Sequence, residues 1–268
     1  MRRPVLTTRG RVQAAALVAA AALTTAGALT ATSAEVEVLR FCNGVPATIV
    51  GSDIGETITG TPGPDVIQAN GGNDVIFGLG GDDLICAGPG DDVVIAGNQD
   101  DRIFGGPGRD ILLGGAGADV IHGGDDDDRI DGQGGSDELY GDQDDDLVVG
   151  GDGDDRVYGG GGTTADFGDD ILLGGAGSDR MYGGAGDDVM RGGFGLDFMF
   201  GQEGDDEMRG EAGNDQMYGA DGRDTMLGGP GDDRIRGEGD NDRIDGGPGA
   251  EVECDGGPGA NVIRGCNP

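Results

Sequence analysis

The chain has 268 residues, 62 of them Gly and 10 Pro, and sets 52 acidic residues against 17 basic ones, all Arg, for a net charge of −35. That balance excludes the basic face a nucleic-acid binder needs. One His and no Trp leave little from which to build a catalytic triad or an ordinary apolar core, and so much Gly and Pro reads as low-complexity chain unless a period organises it.

Residues 1–34 differ from the rest. Arg2, Arg3, Arg9 and Arg11 form a positive start, an Ala/Leu-rich stretch runs from Val12 to Leu29, and small residues lead to Ala34. This is the layout of a secretory signal peptide. Thr24, Thr25 and Gly27 interrupt the apolar run and argue against a membrane anchor, while Arg2-Arg3 also fits twin-arginine export. All 52 acids lie beyond Ala34 and four Arg lie before it, so cleavage leaves 13 − 52 = −39. The expectation is a secreted, extracellular chain with no membrane span after cleavage. In that oxidising setting Cys42, Cys86, Cys254 and Cys266 favour disulfides. Residues 35–50 read as an N-terminal capping segment.

From there a period of nine governs the chain. Asp recurs at Asp65, Asp74, Asp83, Asp92, Asp101, Asp110, Asp119, Asp128, Asp137, Asp146 and Asp155. After a 15-residue step it resumes at Asp170, Asp179, Asp188, Asp197, Asp206, Asp215, Asp224, Asp233 and Asp242. Glu56 and Glu251 hold the same phase at the ends. Two residues after each Asp stands an apolar residue, as in Ile67, Val94, Leu112 and Ile244, and two residues before it Gly is the rule. The unit is G-G-x-G-x-D-x-U-x, where U is apolar.

Each unit holds two physical instructions. The Gly half reaches positive φ without steric cost, so it turns. The x-U-x half is a three-residue strand with one side chain inward and its neighbours outward. One turn and one strand go halfway round a flattened coil, so two units close it. Stacked coils lay the strands in parallel with the U residues in internal columns. The fold class is therefore all-β, a parallel β-roll or right-handed β-helix-type solenoid with two repeats per coil. Roughly 12 coils at ~4.8 Å each make a rod on the order of 55 Å long.

One apolar side chain per nine residues cannot offset the ordering of so Gly-rich a chain, and the negative charges repel. Asp residues 18 apart fall on one edge of adjacent coils. A hard divalent cation between them resolves that conflict. Ca2+ takes six to eight oxygen ligands in flexible geometry, and Gly turns expose backbone carbonyls; Mg2+ is stricter, and Zn2+ wants His or Cys. The motif resembles the RTX, or hemolysin-type, calcium-binding repeat over residues 51–264. The resemblance implies a β-roll in which the sixth-position carboxylate binds Ca2+ with backbone carbonyls of the flanking loops. By position that role falls on the twenty Asp from Asp65 to Asp242. Gln99, Asp126, Asp144 and Asp240 replace the second-half Gly, and Glu56 and Glu251 serve as weak sites or end caps. Family members often carry an enzyme, toxin or adhesin domain; none is read here.

The remaining features have plain readings. All six Met after the initiator occupy U positions and fill the core. His122 faces outward without an assigned role. The six extra residues near Gly159–Thr164 form a surface loop. Phe77, Phe104, Tyr140, Tyr158, Tyr182, Phe200 and Tyr218 point outward and make cross-strand contacts. Cys86 and Cys254 are 168 residues apart, nine coils once the insertion is removed, or roughly 43 Å, whereas bridged Cα atoms lie within ~7 Å. End-to-end pairings are thereby excluded, leaving Cys254–Cys266 and, if the preceding segment folds back, Cys42–Cys86. Residues 265–268 are a tail. The functional expectation is a non-catalytic calcium-binding protein with a structural or interaction role, its protein or cell-surface partner open. The alternative is an adhesin-like or accessory module serving an enzyme or toxin on a separate chain.

Overall fold

A computed structural model describes residues 40–160, 168–249 and 253–266. The predicted leader, Glu251 and most of the predicted insertion lie outside the described residues. Two parallel 12-stranded sheets make up the structure, and no helix occurs among the described residues. The first sheet stacks Thr57–Thr59, Val75–Gly80, Val93–Asn98, Ile111–Ala116, Arg129–Gly134, Leu147–Asp152, Ile171–Ala176, Val189–Gly195, Glu207–Gly213, Thr225–Leu227, Arg243–Asp245 and Val262–Arg264. The second stacks Ile49–Val50, Val66–Gln68, Leu84–Cys86, Arg102–Pro107, Val120–Asp125, Glu138–Asp142, Arg156–Gly160, Arg180–Ala185, Phe198–Glu203, Gln216–Asp221, Arg234–Glu238 and Glu253–Asp255. Successive strands alternate between the sheets, which is the parallel β-roll with two repeats per coil. A small antiparallel hairpin, Phe41–Cys42 with Val45–Pro46, precedes it.

Register follows the sequence period. Leu112 pairs with Val94 on one side and Ile130 on the other, steps of 18 residues. Across the insertion the step becomes 24, Val148 opposite Leu172 and Val157 opposite Met181, and both sheets keep their pairing. Many strands run to six residues rather than three. The ladder continues into the Gly pair, Gly115 opposite Gly97, because stacked glycines bring no side chains to keep the backbones apart.

Inside the coils the U residues form two apolar columns. Ile67, Ile85, Ile103, Ile121 and all six Met are fully buried. Turn geometry tolerates the departures from Gly: Gln99, Asp126, Asp144 and Asp240 keep φ of 74°, 79°, 70° and 52° where Gly108 has 123°. Both disulfides are formed, Cys42–Cys86 with Cα atoms 5.5 Å apart and Cys254–Cys266 at 5.9 Å. The segment before the first coil thus folds back onto the second sheet.

Three details go beyond the sequence reading. Glu253 pairs with Arg234 and Cys254 with Ile235, steps of 19 rather than 18. His122 has a definite place, stacked between Phe104 at 5.2 Å and Tyr140 at 4.4 Å, with Nδ1 3.0 Å from Asp142 Oδ2. The aromatic rank continues through Tyr158 and Tyr182 on the second sheet, whereas Phe77 belongs to the first sheet and Phe200 meets Tyr218 edge-on.

Candidate metal centre

Each Asp of the period ends a Gly turn and points inward just before its strand. All twenty are buried, from fully buried Asp101 to Asp65 at 7% exposure. They form two ladders, one along each edge of the roll. Asp65, Asp83, Asp101, Asp119, Asp137, Asp155, Asp179, Asp197, Asp215 and Asp233 line one. Asp74, Asp92, Asp110, Asp128, Asp146, Asp170, Asp188, Asp206, Asp224 and Asp242 line the other. Within a ladder the backbone N–H of each Asp donates to Oδ1 of the Asp one coil on, as from Asp101 to Asp119 at 2.8 Å. The contact survives the insertion, where Asp155 donates to Asp179 at 2.9 Å.

The second oxygen is what calls for a ligand. Oδ2 is buried without a hydrogen-bond partner in Asp74, Asp83, Asp92, Asp101, Asp110, Asp119, Asp128 and Asp137, and again in Asp155, Asp179, Asp197, Asp206, Asp215, Asp224, Asp233 and Asp242. A buried carboxylate oxygen left so is costly. It faces the first Gly of its own turn and the carbonyl of the equivalent Gly one coil on. A Cβ on Gly105 would meet Asp110 Oδ2 and the Gly123 carbonyl oxygen; one on Gly123 would meet Asp128 Oδ2 and the Gly141 carbonyl oxygen. Anionic and carbonyl oxygens thus converge where only Gly leaves room.

Desolvation raises these carboxyls well above their ordinary 3.8, Asp83 to about 6, Asp101 and Asp128 to about 7 and Asp110 to about 8, with hydrogen bonds from the neighbouring Asp amide opposing and nearby carboxylates adding to the rise. A cation is the natural compensation. Among the described residues no three His, Cys, Asp or Glu side chains gather around a point. Any ion would therefore be held by one carboxylate per turn and by main-chain oxygens. That donor set is all hard oxygen and fits Ca2+ rather than Zn2+.

The ends of the ladders differ. Asp65 Oδ2 accepts the Thr61 N–H at 2.6 Å, and Glu56 accepts the Ser52 hydroxyl at 2.7 Å together with its N–H, which holds the Glu56 carboxyl below its ordinary range. At the other end the ladder closes on Asn261, whose Oδ1 accepts the Asp242 N–H at 2.7 Å. Its Nδ2 donates to the carbonyls of Gly256 at 2.5 Å and Gly257 at 3.1 Å. An amide thus does in the last turn what a cation could do in the others. Strict counting in nines passes Asn261 by, although Gly256–Arg264 reads GGPGANVIR, the full motif with Asn for Asp.

Among the described residues no helix is long and apolar enough to cross a membrane. No curated protein matches the chain. The model of the RTX calcium-binding nonapeptide repeat matches it at residues 50–85, 87–112, 104–139, 131–163, 164–199, 192–226 and 218–250. With that match spanning most of the roll, and with the nine-residue period resolved into stacked Gly turns and inward Asp, the chain belongs to the RTX calcium-binding nonapeptide repeat family.

Proposed function

We propose that this is a secreted protein whose roll folds as it takes up many Ca2+ ions, and that its role is structural or interactive rather than catalytic. The observation that carries the reading is the buried, partnerless Oδ2 of the sixteen Asp named above, beside turn carbonyls. Those Asp, with Gly carbonyls such as that of Gly123, are the proposed ligands. Asp65 is the weakest of the twenty, because Thr61 already occupies its second oxygen. Calcium would supply the positive charge that lets the carboxylates stay ionised while buried. The ligands of a site come from two stacked coils, so binding and folding are linked.

Export rests on the composition of residues 1–34, with residues 35–50 as the cap, 51–264 as the roll and 265–268 as the tail. The two disulfides suit the same compartment. Calcium titration followed by circular dichroism, with stoichiometry from calorimetry, tests the reading. The expected result is a disordered chain in chelator and a cooperative rise in β signal with calcium. A full β spectrum in excess chelator near neutral pH would overturn it.

A further inference from the structure

The outer faces of the two sheets differ in kind. On the second sheet the outward positions carry the aromatic rank on one column and charges such as Arg102, Arg156 and Arg180 on the other. On the first sheet four strands carry aliphatic residues at both outward positions, Leu147 and Val149 among them, and charged residues stand on others. Val93 and Ile95, Ile111 and Leu113, and Ile171 and Leu173 flank the buried Val94, Leu112 and Leu172. Ile95, Ile111 and Ile171 are 36%, 41% and 43% exposed. An apolar stripe of this length on a chain of charge −35 marks a contact surface.

The charges that interrupt the stripe identify what covers it. Arg129 and Asp131 stand on either side of Ile130, and neither makes an ion pair among the described residues. Further along, Glu207 and Arg209 flank Met208, and Arg243 and Asp245 flank Ile244. Every strand of this sheet with charges on both outward positions pairs opposite signs. Rotation by half a turn about an axis parallel to the stack lays each strand, reversed, over its own copy. Arg129 then faces Asp131 of the second molecule and Asp131 faces Arg129, while aliphatic pairs meet aliphatic pairs. The same operation on the second sheet sets Arg234 against Arg236 and Glu253 against Asp255, like against like. On the first sheet no strand sets like charge against like, while Arg191 faces Val189 and Arg264 faces Val262.

We propose that the outer face of the first sheet is a two-fold interface with a second copy of this chain, strands antiparallel and each coil facing its equivalent. Twelve strands at ~4.8 Å give a strip ~53 Å long, and a width of ~14 Å makes roughly 750 Å² per copy, about what a stable interface buries. The face exists only in the folded roll, so the proposal rests on the calcium reading as far as calcium is what folds it.

Sedimentation velocity on the full chain in calcium, with circular dichroism on the same samples, tests the interface. The folded protein is expected at twice the monomer mass. Arg129→Asp and Asp131→Arg, both at outward positions, should each weaken the dimer roughly tenfold or more by setting like charges face to face. An equimolar mixture of the two variants should recover it, since each copy then supplies the charge the other lacks. A folded monomer at every concentration, a dimer indifferent to both substitutions, or a mixture that fails to recover would overturn the proposal. A β spectrum unchanged by chelator would instead strike the calcium reading, and the interface would then be judged by mass alone.

Discussion

The backbone N–H of Asp110 donates to Oδ1 of Asp128, 18 residues later, at 2.8 Å, while Oδ2 of the same carboxylate has no hydrogen-bond partner. One side chain thus carries two separable tasks, stitching coil to coil and offering a charge to a cation.

Substitution separates them. Asp128→Asn keeps the acceptor for Asp110 but removes the anion, so it should lose affinity at one neighbourhood of calcium sites while folding normally in excess calcium. Asp128→Ala loses both, with a further cost of about 1–2 kcal/mol for the stranded Asp110 amide. The double replacement of Asp110 and Asp128 by Ala should lower the calorimetric stoichiometry; an unchanged value would refute the proposed ligands.

Acid should replace calcium in part. In chelator the folded roll binds protons more tightly than the unfolded chain, since burial lifts Asp83 to about 6, Asp101 to about 7 and Asp110 to about 8 from an ordinary 3.8. The ion-free roll therefore gains stability as pH falls from about 8 toward 4 and loses it as pH rises through that window. With calcium present the dependence reverses, because protons compete for the same oxygens. Circular dichroism against pH, with and without chelator, should give slopes of opposite sign.

Asn261→Asp tests the end of the ladder. The new carboxylate would lose the donors to the Gly256 and Gly257 carbonyls. Without calcium the last coil should fray, at about 1–3 kcal/mol. With calcium it should recover and take up additional ion. Hydrogen exchange at Val262–Arg264 reads both effects.

Removing the disulfides should act through the unfolded chain. Cys42–Cys86 spans 44 residues and Cys254–Cys266 spans 12, so loop closure alone predicts losses of about 4 and about 3 kcal/mol. Paired Cys→Ser variants in saturating calcium, unfolded by denaturant, provide the comparison.

Much of this molecule is legible in its residues because the coil is a simple repetition. The Asp and apolar positions named the inward side chains from Asp65 to Ile244 except the buried Ala69, Ala87 and Ala96, and subtracting six residues near Gly159 predicted the closure seen between Val148 and Leu172. What stayed hidden depends on relations between coils rather than within a unit. The bond from the Asp110 amide to Asp128 shows no spacing beyond that of Asp itself. His122 looks isolated until repeats are grouped by eighteen, when Phe104 and Tyr140 become its neighbours. Asn261 lies beyond a single extra residue, and a slip of one defeats any count in nines.

The insertion after Gly160 carries a practical corollary. Both Asp ladders cross it at full strength, from Asp146 to Asp170 and from Asp155 to Asp179. The roll thus measures coils, not residues, and one turn can be spliced open wherever the chain leaves and rejoins the stack at fixed points. Foreign peptides grafted between Gly160 and Gly168 should be displayed at the surface while the coils on either side keep their pairing.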